Sequence, residues 1–344
     1  MIATSPLNII ISGNFPVCLF FVMSGYVLSY GYVTTGDSKK IWRSATKRYP
    51  RLMVPVLASL IFAWATHSIV GYYYQDVKLY SGSTMYDTFV FDRSFLYVIS
   101  EGVFGTFFRG DFSLNPPIWT ISTELKGSFI VFGLLALFRR SPLRWVGYVI
   151  AAVLLYDRYY LAFPIGMALA ALPPPRTDRP GLAALCAVIG VALGSYPYYG
   201  VDQGLWYWLP RPWNAPPFDF YHIIGATFLF EALILSRFKS LFGSKIFRFL
   251  GRISYSLYLT HFTILSSLSA WLVLWAEPWF GYLPAVAIAA LVSFPIMLIT
   301  AAGFTRMVDA PAVQAADRLT RASFRLLSGS NRLIMRLRRT LSAT

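Results

Sequence analysis

Long apolar runs separated by charged loops constrain this chain more than any other feature. A helix that crosses a bilayer needs about 20 mostly apolar residues. Runs of that kind, some of them short, lie near residues 8–33, 52–74, 117–138, 143–157, 159–172, 181–198, 222–237, 250–275 and 283–305. The pattern predicts an all-α polytopic membrane helix bundle with about nine transmembrane helices.

Composition agrees with a membrane protein and excludes an ordinary soluble enzyme. Hydrophobic residues make up 56% of the chain and charged residues only 13%, against roughly 25% charged residues in a typical soluble protein. The two cysteines, Cys18 and Cys186, each lie inside an apolar run. We therefore expect no disulfide framework and no metal site.

The charges predict how the chain is oriented. Lys and Arg number 30 against 15 Asp and Glu, and they cluster after alternate apolar runs, as the positive-inside rule requires. We expect membrane lipids, and not nucleic acid, to be the partners of these clusters. The alternation places the C-terminus in the cytoplasm of a cell (inner or plasma) membrane and the N-terminus outside. An external N-terminus without a signal peptide is unusual, and nine is an odd number of spans. One more helix would remove both features, so we expect a further helix upstream of Met1.

The chain divides into a transmembrane domain over residues 1–311 and a basic tail over residues 312–344. The arginines of the tail share one face of a predicted helix because their spacings are three, four or seven: Arg318, Arg321, Arg325, Arg332, Arg336 and Arg339. A surface helix on anionic lipid is the favoured interpretation. A partner-binding or disordered tail is the alternative.

Ionisable residues within predicted spans are costly and mark candidate functional positions. They are His67, Glu124, Lys126, Glu231 and His261, with Asp309 at a span's end. In the segment Gly251–His261, helical spacing places Ser254, Tyr258 and His261 on one face. At 1.5 Å per residue, His261 lies roughly 14 Å from Arg252, about half-way through the hydrocarbon. The stripe suits a polar cavity reached from the cytoplasm, or equally a structural hydrogen-bond cluster.

Three other segments carry interpretable side chains. Glu124, about two turns into a helix that begins at a Pro-Pro pair, would anchor a hydroxyl-bearing substrate or pair with a neighbouring helix. Arg48 and Arg51 would hold phosphates, although positive-inside placement explains them equally well. The Ser24-Gly25 pair predicts close packing of two helices.

Five segments in this order resemble the acyltransferase 3 family of integral-membrane acyltransferases. They are Phe20–Tyr26 (FFVMSGY), Arg48–Pro55 (RYPRLMVP), Trp119–Glu124 (WTISTE), Gly251–His261 (GRISYSLYLTH) and Arg306–Pro311 (RMVDAP). The resemblance implies about ten helices and transfer of an acyl group, commonly acetyl, from cytoplasmic acyl-CoA to a hydroxyl of a carbohydrate or lipid-linked acceptor. O-acetylation of a polysaccharide is a typical case. It implies no tightly bound cofactor, since acyl-CoA is the donor substrate.

The resemblance also implies roles for particular residues. Arg48 and Arg51 would meet the phosphates of acyl-CoA, and Ser254, Tyr258 and His261 would line the path of the acyl group. Trp119 and Glu124 would lie on the acceptor side. Asp309 stands where the family more often has Glu.

One departure concerns the first helix of the family, which carries a histidine considered essential for catalysis. Nothing that matches it precedes Phe20, so His261 is the candidate catalytic residue that this sequence offers. Two classes of function follow. The chain is a membrane O-acyltransferase, or it is a non-catalytic or truncated member that acts as a binding or transport module.

Overall fold

The structure is a computed structural model. It describes residues 5–81, 92–156, 158–173, 175, 177–198, 204–212, 216–236, 240 and 242–323. The tail arginines at positions 325, 332, 336 and 339 lie outside these residues, so the predictions made for them remain predictions.

The described residues form helices and contain no strand. The α-helices are α1 (Asn8–Ile11), α2 (Asn14–Thr35), α3 (Ser38–Ile69), α4 (Tyr74–Ser81), α5 (Phe95–Ser100), α6 (Trp119–Phe138), α7 (Arg144–Leu154), α8 (Ala162–Ala171), α9 (Pro180–Gly194), α10 (Pro217–Leu235), α11 (Lys245–Ile264), α12 (Ala270–Phe280) and α13 (Tyr282–Phe304). Turns of π-helix cover Glu101–Arg109, Leu265–Ser269 and Thr305–Asp309, and 3-10 turns cover Pro116–Ile118, Tyr159–Leu161 and Gly204–Trp208.

Six helical segments of the described chain are long and apolar enough to cross a membrane. They are Asn14–Thr35, Ser38–Ile69, Pro116–Phe138, Pro217–Leu235, Lys245–Phe280 and Tyr282–Ser323. Three shorter apolar helices, Arg144–Leu154, Tyr159–Ala171 and Pro180–Gly194, lie where the shortest predicted spans were placed. The all-α polytopic class is confirmed, and a crossing by each of the three shorter helices stays a prediction.

The chain separates into two compact units. Unit 1 comprises residues 1–45 and 123–248, and unit 2 comprises residues 46–122 and 249–344. In unit 1, α2 packs on α8 and α10, and α9 packs on α10. A side chain added at Gly25 would collide with the backbone of Phe163, so the close packing predicted for the Ser24-Gly25 pair is confirmed. Gly190 and Gly225 allow the same approach between α9 and α10, as small residues do between membrane helices.

Unit 2 is organised around a long helical hairpin. The segment α11, its π-turn and α12 form one helix from Lys245 to Phe280. Gly281, at a φ of 77° that favours glycine, then reverses the chain into α13. Ala276 of α12 and Ala285 of α13 are both fully buried in the apolar cluster that joins the two helices, and Val77 of α4 packs against the same cluster. The helix that begins at Tyr282 continues without a break to Ser323, across the predicted division between residues 311 and 312.

Candidate active site

The polar stripe predicted on α11 is present in unit 2. Ser254 is exposed, whereas Tyr258 and His261 are half-buried one and two turns further along the same face. The Ser254 hydroxyl donates a hydrogen bond to the Gly251 carbonyl (2.9 Å). The stripe therefore begins at an exposed residue and ends at the half-buried imidazole.

The hydrogen bonds of His261 define the state of its ring. Nδ1 lies 3.0 Å from the Leu257 carbonyl oxygen and 2.9 Å from that of Tyr258. Because a carbonyl only accepts, Nδ1 of the neutral ring carries the proton. Nε2 then holds a lone pair and has no hydrogen-bond partner among the described residues. An imidazole held through one nitrogen, with the other available as an acceptor, has the arrangement of a general base.

Tyr258 fixes α11 against the start of α6. Its hydroxyl donates to the Pro117 carbonyl, which only accepts. The same oxygen lies 2.6 Å from the Thr120 hydroxyl, which therefore acts as the donor in that contact. Since the Tyr258 carbonyl also accepts from His261, these contacts hold the imidazole in register with the 116–120 turn.

A second contact comes from Asn115, which is fully buried and donates through Nδ2 to the Leu259 carbonyl (2.8 Å). The loop that carries Asn115 is in turn held by Glu101, whose carboxylate accepts from the backbone N–H and the hydroxyl of Ser113 (2.8 and 2.5 Å). Burial raises the pKa of Glu101 above its ordinary value, and the Ser113 hydrogen bonds oppose that rise. The loop thus connects a buried carboxyl group to the backbone beside His261.

Basic residues of α3 lie beside the segment that follows α13. Arg48 is buried, with only 8% of its surface exposed. Arg51 is exposed, and its charge acts on Asp309, which is half-buried. One residue before Arg48, Lys47 forms an ion pair with Asp317 (3.1 Å). These contacts place the predicted phosphate-binding arginines at the end of unit 2 where α13 gives way to charged sequence.

The predicted acceptor-side residues do not fall in one unit. Trp119 is half-buried at the start of α6 in unit 2, whereas Glu124 is buried further along the same helix in unit 1. Their joint role in binding an acceptor stays a prediction.

Unit 1 contains a polar cluster of its own, centred on the fully buried His222. Nε2 lies 3.0 Å from the Tyr196 carbonyl and so carries the proton, and Nδ1 accepts from the Asn14 amide (3.2 Å). Asn14 also donates to Asp219 (3.0 Å) and accepts from the Tyr159 hydroxyl (2.7 Å). Both ring nitrogens of His222 are therefore engaged, and the cluster joins α2, α10 and the turn before α8.

Metal-ligating residues do not gather in the described part of the chain: no group of three or more His, Cys, Asp or Glu side chains is placed to hold an ion. Cys18 and Cys186 are both free thiols.

Comparison with known proteins decides the family. The sequence profile described as "Acyltransferase domain", that of the acyltransferase 3 family, matches residues 2–301. The chain belongs to this family. It is 23% identical to Acyltransferase clz18 of Cochliobolus lunatus over 92% of this chain and 83% of that protein. It is 26% identical to Acyltransferase R4 of a Phoma species over 61% of this chain and 52% of that protein. No solved structure matches.

Because it belongs to the acyltransferase 3 family, this protein is a membrane acyltransferase. The structure also shows polar residues that the sequence did not indicate as candidates. His222 was passed over because it begins an apolar run, and only the distant Asn14 and Tyr196 show how its nitrogens are used. Asn115 and Glu101 lay in a polar stretch that offered no periodicity to interpret. A fully buried carboxyl group outside a span is unusual, but burial is not visible in the sequence.

Proposed function

We propose that this acyltransferase moves an acyl group, acetyl in the simplest case, from acyl-CoA to a hydroxyl of a carbohydrate or other cell-envelope or secreted acceptor. His261 is the general base. The observation that carries the proposal is the pair of hydrogen bonds from Nδ1 to the carbonyls of Leu257 and Tyr258, because they leave Nε2 as the acceptor on a polar stripe.

One general base is sufficient for the reaction, because the same residue takes up the proton and returns it. Nε2 of His261 takes the proton of the acceptor hydroxyl as its oxygen attacks the carbonyl carbon of the thioester. The tetrahedral adduct collapses, the carbon–sulfur bond breaks, and the CoA thiolate takes the proton back from Nε2. The products are the acylated acceptor and CoA, and His261 returns to its starting state.

The remaining predicted residues serve binding. Arg48 and Arg51 hold the phosphates of acyl-CoA, since guanidinium groups match phosphate geometry. Ser254 and Tyr258 line the approach to His261, and Trp119 and Glu124 contact the acceptor. The donor is a substrate, so no resident cofactor is needed. The protein works in the cell membrane, with the charged end of unit 2 and the C-terminus in the cytoplasm.

Transfer of radioactive acetyl from acetyl-CoA tests the proposal. Membranes containing the full chain are incubated with a panel of hydroxyl compounds headed by methyl glucoside, and products and released CoA are counted. The matched pair of variants is His261→Gln and His222→Gln. We expect the first to reduce transfer by about 10²- to 10⁴-fold and the second to retain it per folded molecule. Unchanged transfer by His261→Gln would contradict the assignment of the base, and absence of transfer by the unmodified chain would favour a non-catalytic binding module.

A further inference from the structure

The helix α13 does not end where the apolar sequence ends. It continues through its π-turn as far as Ser323, and we name residues 310–323 the α13 extension. Every fourth residue along part of the extension is buried, and this spacing places the buried residues on one face: Ala312, Ala316 and Thr320. One face of the extension is therefore packed, although the sequence predicted a basic surface tail for these residues.

Two carboxylates on this helix meet two cations of α3. The Asp317 carboxylate forms an ion pair with the Lys47 ammonium group (3.1 Å), and Asp309 interacts electrostatically with Arg51. Lys47 and Arg51 are four residues apart and so share one face of α3. The cation nearer the start of α3 meets the carboxylate nearer the end of the extension, so the two helices run antiparallel here.

The ion pair of Lys47 with Asp317 is of a kind that a stronger anion can replace. The two side chains are 33% and 36% exposed, so water screens their attraction, and exposed pairs of this sort contribute little to stability. A phosphate group carries more charge than a carboxylate and accepts stronger hydrogen bonds, and lysine is an established phosphate ligand in proteins. Lys47 can therefore exchange Asp317 for a phosphate at small cost.

The chemistry of CoA suits a further cation at this position. CoA carries a diphosphate and a separate phosphate on its ribose, so its negative charge lies at two places in the molecule. Lys47 lies on the same face as Arg51 and about 6 Å from it along the helix axis. A donor held at Arg51 by one phosphate group meets a further ammonium group one helical turn away.

We propose that Lys47 is a further phosphate contact for acyl-CoA, and that Asp317 of the α13 extension is the counter-ion that Lys47 gives up when the donor binds. This inference rests on the proposed donor role of Arg48 and Arg51 and deepens it. The extension then competes with the donor for Lys47, so a carboxylate outside the donor site lowers the affinity for acyl-CoA.

Binding of radiolabelled CoA to the full chain in detergent tests the inference without requiring turnover. Asp317→Asn keeps the shape of the side chain and removes its charge. We expect the Kd for CoA to fall by roughly 2- to 5-fold, which is the contribution of an exposed ion pair converted to affinity. Lys47→Met should raise the Kd, and in that background Asp317→Asn should lose most of its effect.

Asp76→Asn is the matched control, because Asp76 is exposed on α4 and its replacement changes the net charge by the same amount. A Kd that Asp317→Asn leaves unchanged or raises overturns the inference, since a purely structural ion pair gives that result. An equal fall in Kd for Asp76→Asn, or an undiminished effect of Asp317→Asn in the Lys47→Met background, overturns it as well. If Asp317→Asn does not elute as a single species, Asp317→Ser takes its place with the same outcomes.

The same measurements separate this inference from the proposed function. The expected Kd pattern in a chain that transfers no acetyl group refutes the proposed function alone. Acetyl transfer with a Kd that Asp317→Asn does not lower refutes the competition between Asp317 and the donor alone. Absence of CoA binding by the unmodified chain refutes both.

Discussion

His222 in unit 1 and His261 in unit 2 both lie on spanning helices, and their two rings are used in opposite ways. His222 in unit 1 is fully buried and both of its nitrogens are engaged, one by the Tyr196 carbonyl and one by Asn14. His261 in unit 2 is half-buried, and its hydrogen bonds within the described part of the chain run through Nδ1 to carbonyls of its own helix. The residue type is the same, and the difference lies in whether a ring nitrogen remains available to accept a proton: both nitrogens of His222 are engaged, whereas Nε2 of His261 is available.

The comparison shows how a buried polar group in a membrane protein can be sorted as structural or chemical. A ring satisfied on both sides joins helices and loses that role if either bond is broken. A ring satisfied on one side keeps a fixed orientation and still accepts a proton.

Replacing His261 with glutamine should reduce the rate of acyl transfer by about 10²- to 10⁴-fold, the usual contribution of a general base. The melting temperature in detergent should change little because, among the residues that the structure describes, the ring bonds to carbonyls of its own helix. Acetyl transfer and thermal unfolding of the same preparation measure both quantities. A loss of folding in parallel with the loss of rate would show that His261 is structural in the same sense as His222.

Replacing Arg48 with alanine should raise the KM for acetyl-CoA by roughly 10- to 100-fold, as expected when a charge-assisted hydrogen bond of about 1.5–3 kcal/mol is lost. The kcat should change less, since the phosphates lie away from the thioester. Arg48→Lys is the matched control and should recover part of the loss. A fall in kcat at unchanged KM would contradict donor binding by this residue.

Replacing His222 with leucine should destabilise the protein by about 1–3 kcal/mol, because the Asn14 amide and the Tyr196 carbonyl lose their partner while buried. The kcat per folded molecule should remain that of the unmodified protein. Thermal unfolding and active-site-normalised rates decide the outcome. If the rate falls and the melting temperature does not, the two histidines have been assigned the wrong way round.

The Tyr258–Thr120 pair is tested by a double-mutant cycle with Tyr258→Phe and Thr120→Val. We expect a coupling energy of roughly 0.5–2 kcal/mol in stability, because the two hydroxyls are in direct contact at 2.6 Å. The Thr120→Val change alone should alter the acyl-transfer rate only modestly. Additive effects on stability would show that the contact does not hold α11 in place.

The smallest effect concerns Glu101, whose pKa is raised by burial. The folded state then binds its proton more tightly than the unfolded state, so stability is greatest below the ordinary carboxyl pKa. It falls as pH rises through the raised value. Glu101→Gln should remove this decline while still accepting from Ser113. Melting temperatures between mildly acidic and neutral pH measure it, and an identical slope in both proteins would contradict the assignment.

Much of this architecture is readable from the sequence, because apolar run length reports directly on spanning helices. The runs around residues 8–33, 117–138 and 283–305 coincide with long helices, and the spacing of Ser254, Tyr258 and His261 gave their shared face. The runs at 143–157, 159–172 and 181–198 coincide with helices that are shorter than a full span. Run length could not settle whether they cross the membrane, because runs of this length also occur in ordinary buried helices.

The site was less predictable for two physical reasons. The tautomer of His261 depends on backbone carbonyls, which every residue has, so no side-chain pattern reveals it. The contact of α11 with the segment after α13 runs through the Ser256 and Thr305 hydroxyls, 49 residues apart, and no spacing within either helix reveals it. The half-way depth expected for His261 stays a prediction. Likewise, the hydrogen bond from Asn115 to the Leu259 carbonyl of α11 forms only in the folded chain, in the loop that Glu101 holds through Ser113.

Chemical rescue of His261→Ala tests whether the imidazole of His261 is the base. The variant leaves a space of imidazole size at the end of the polar stripe formed by Ser254, Tyr258 and His261. We expect added imidazole to restore the release of CoA from acetyl-CoA in the presence of acceptor, in a saturable manner, and we expect His222→Ala to show no such response. An His261→Ala protein that is folded, inactive and indifferent to imidazole, or one that is fully active without it, would contradict the role of His261 as the base.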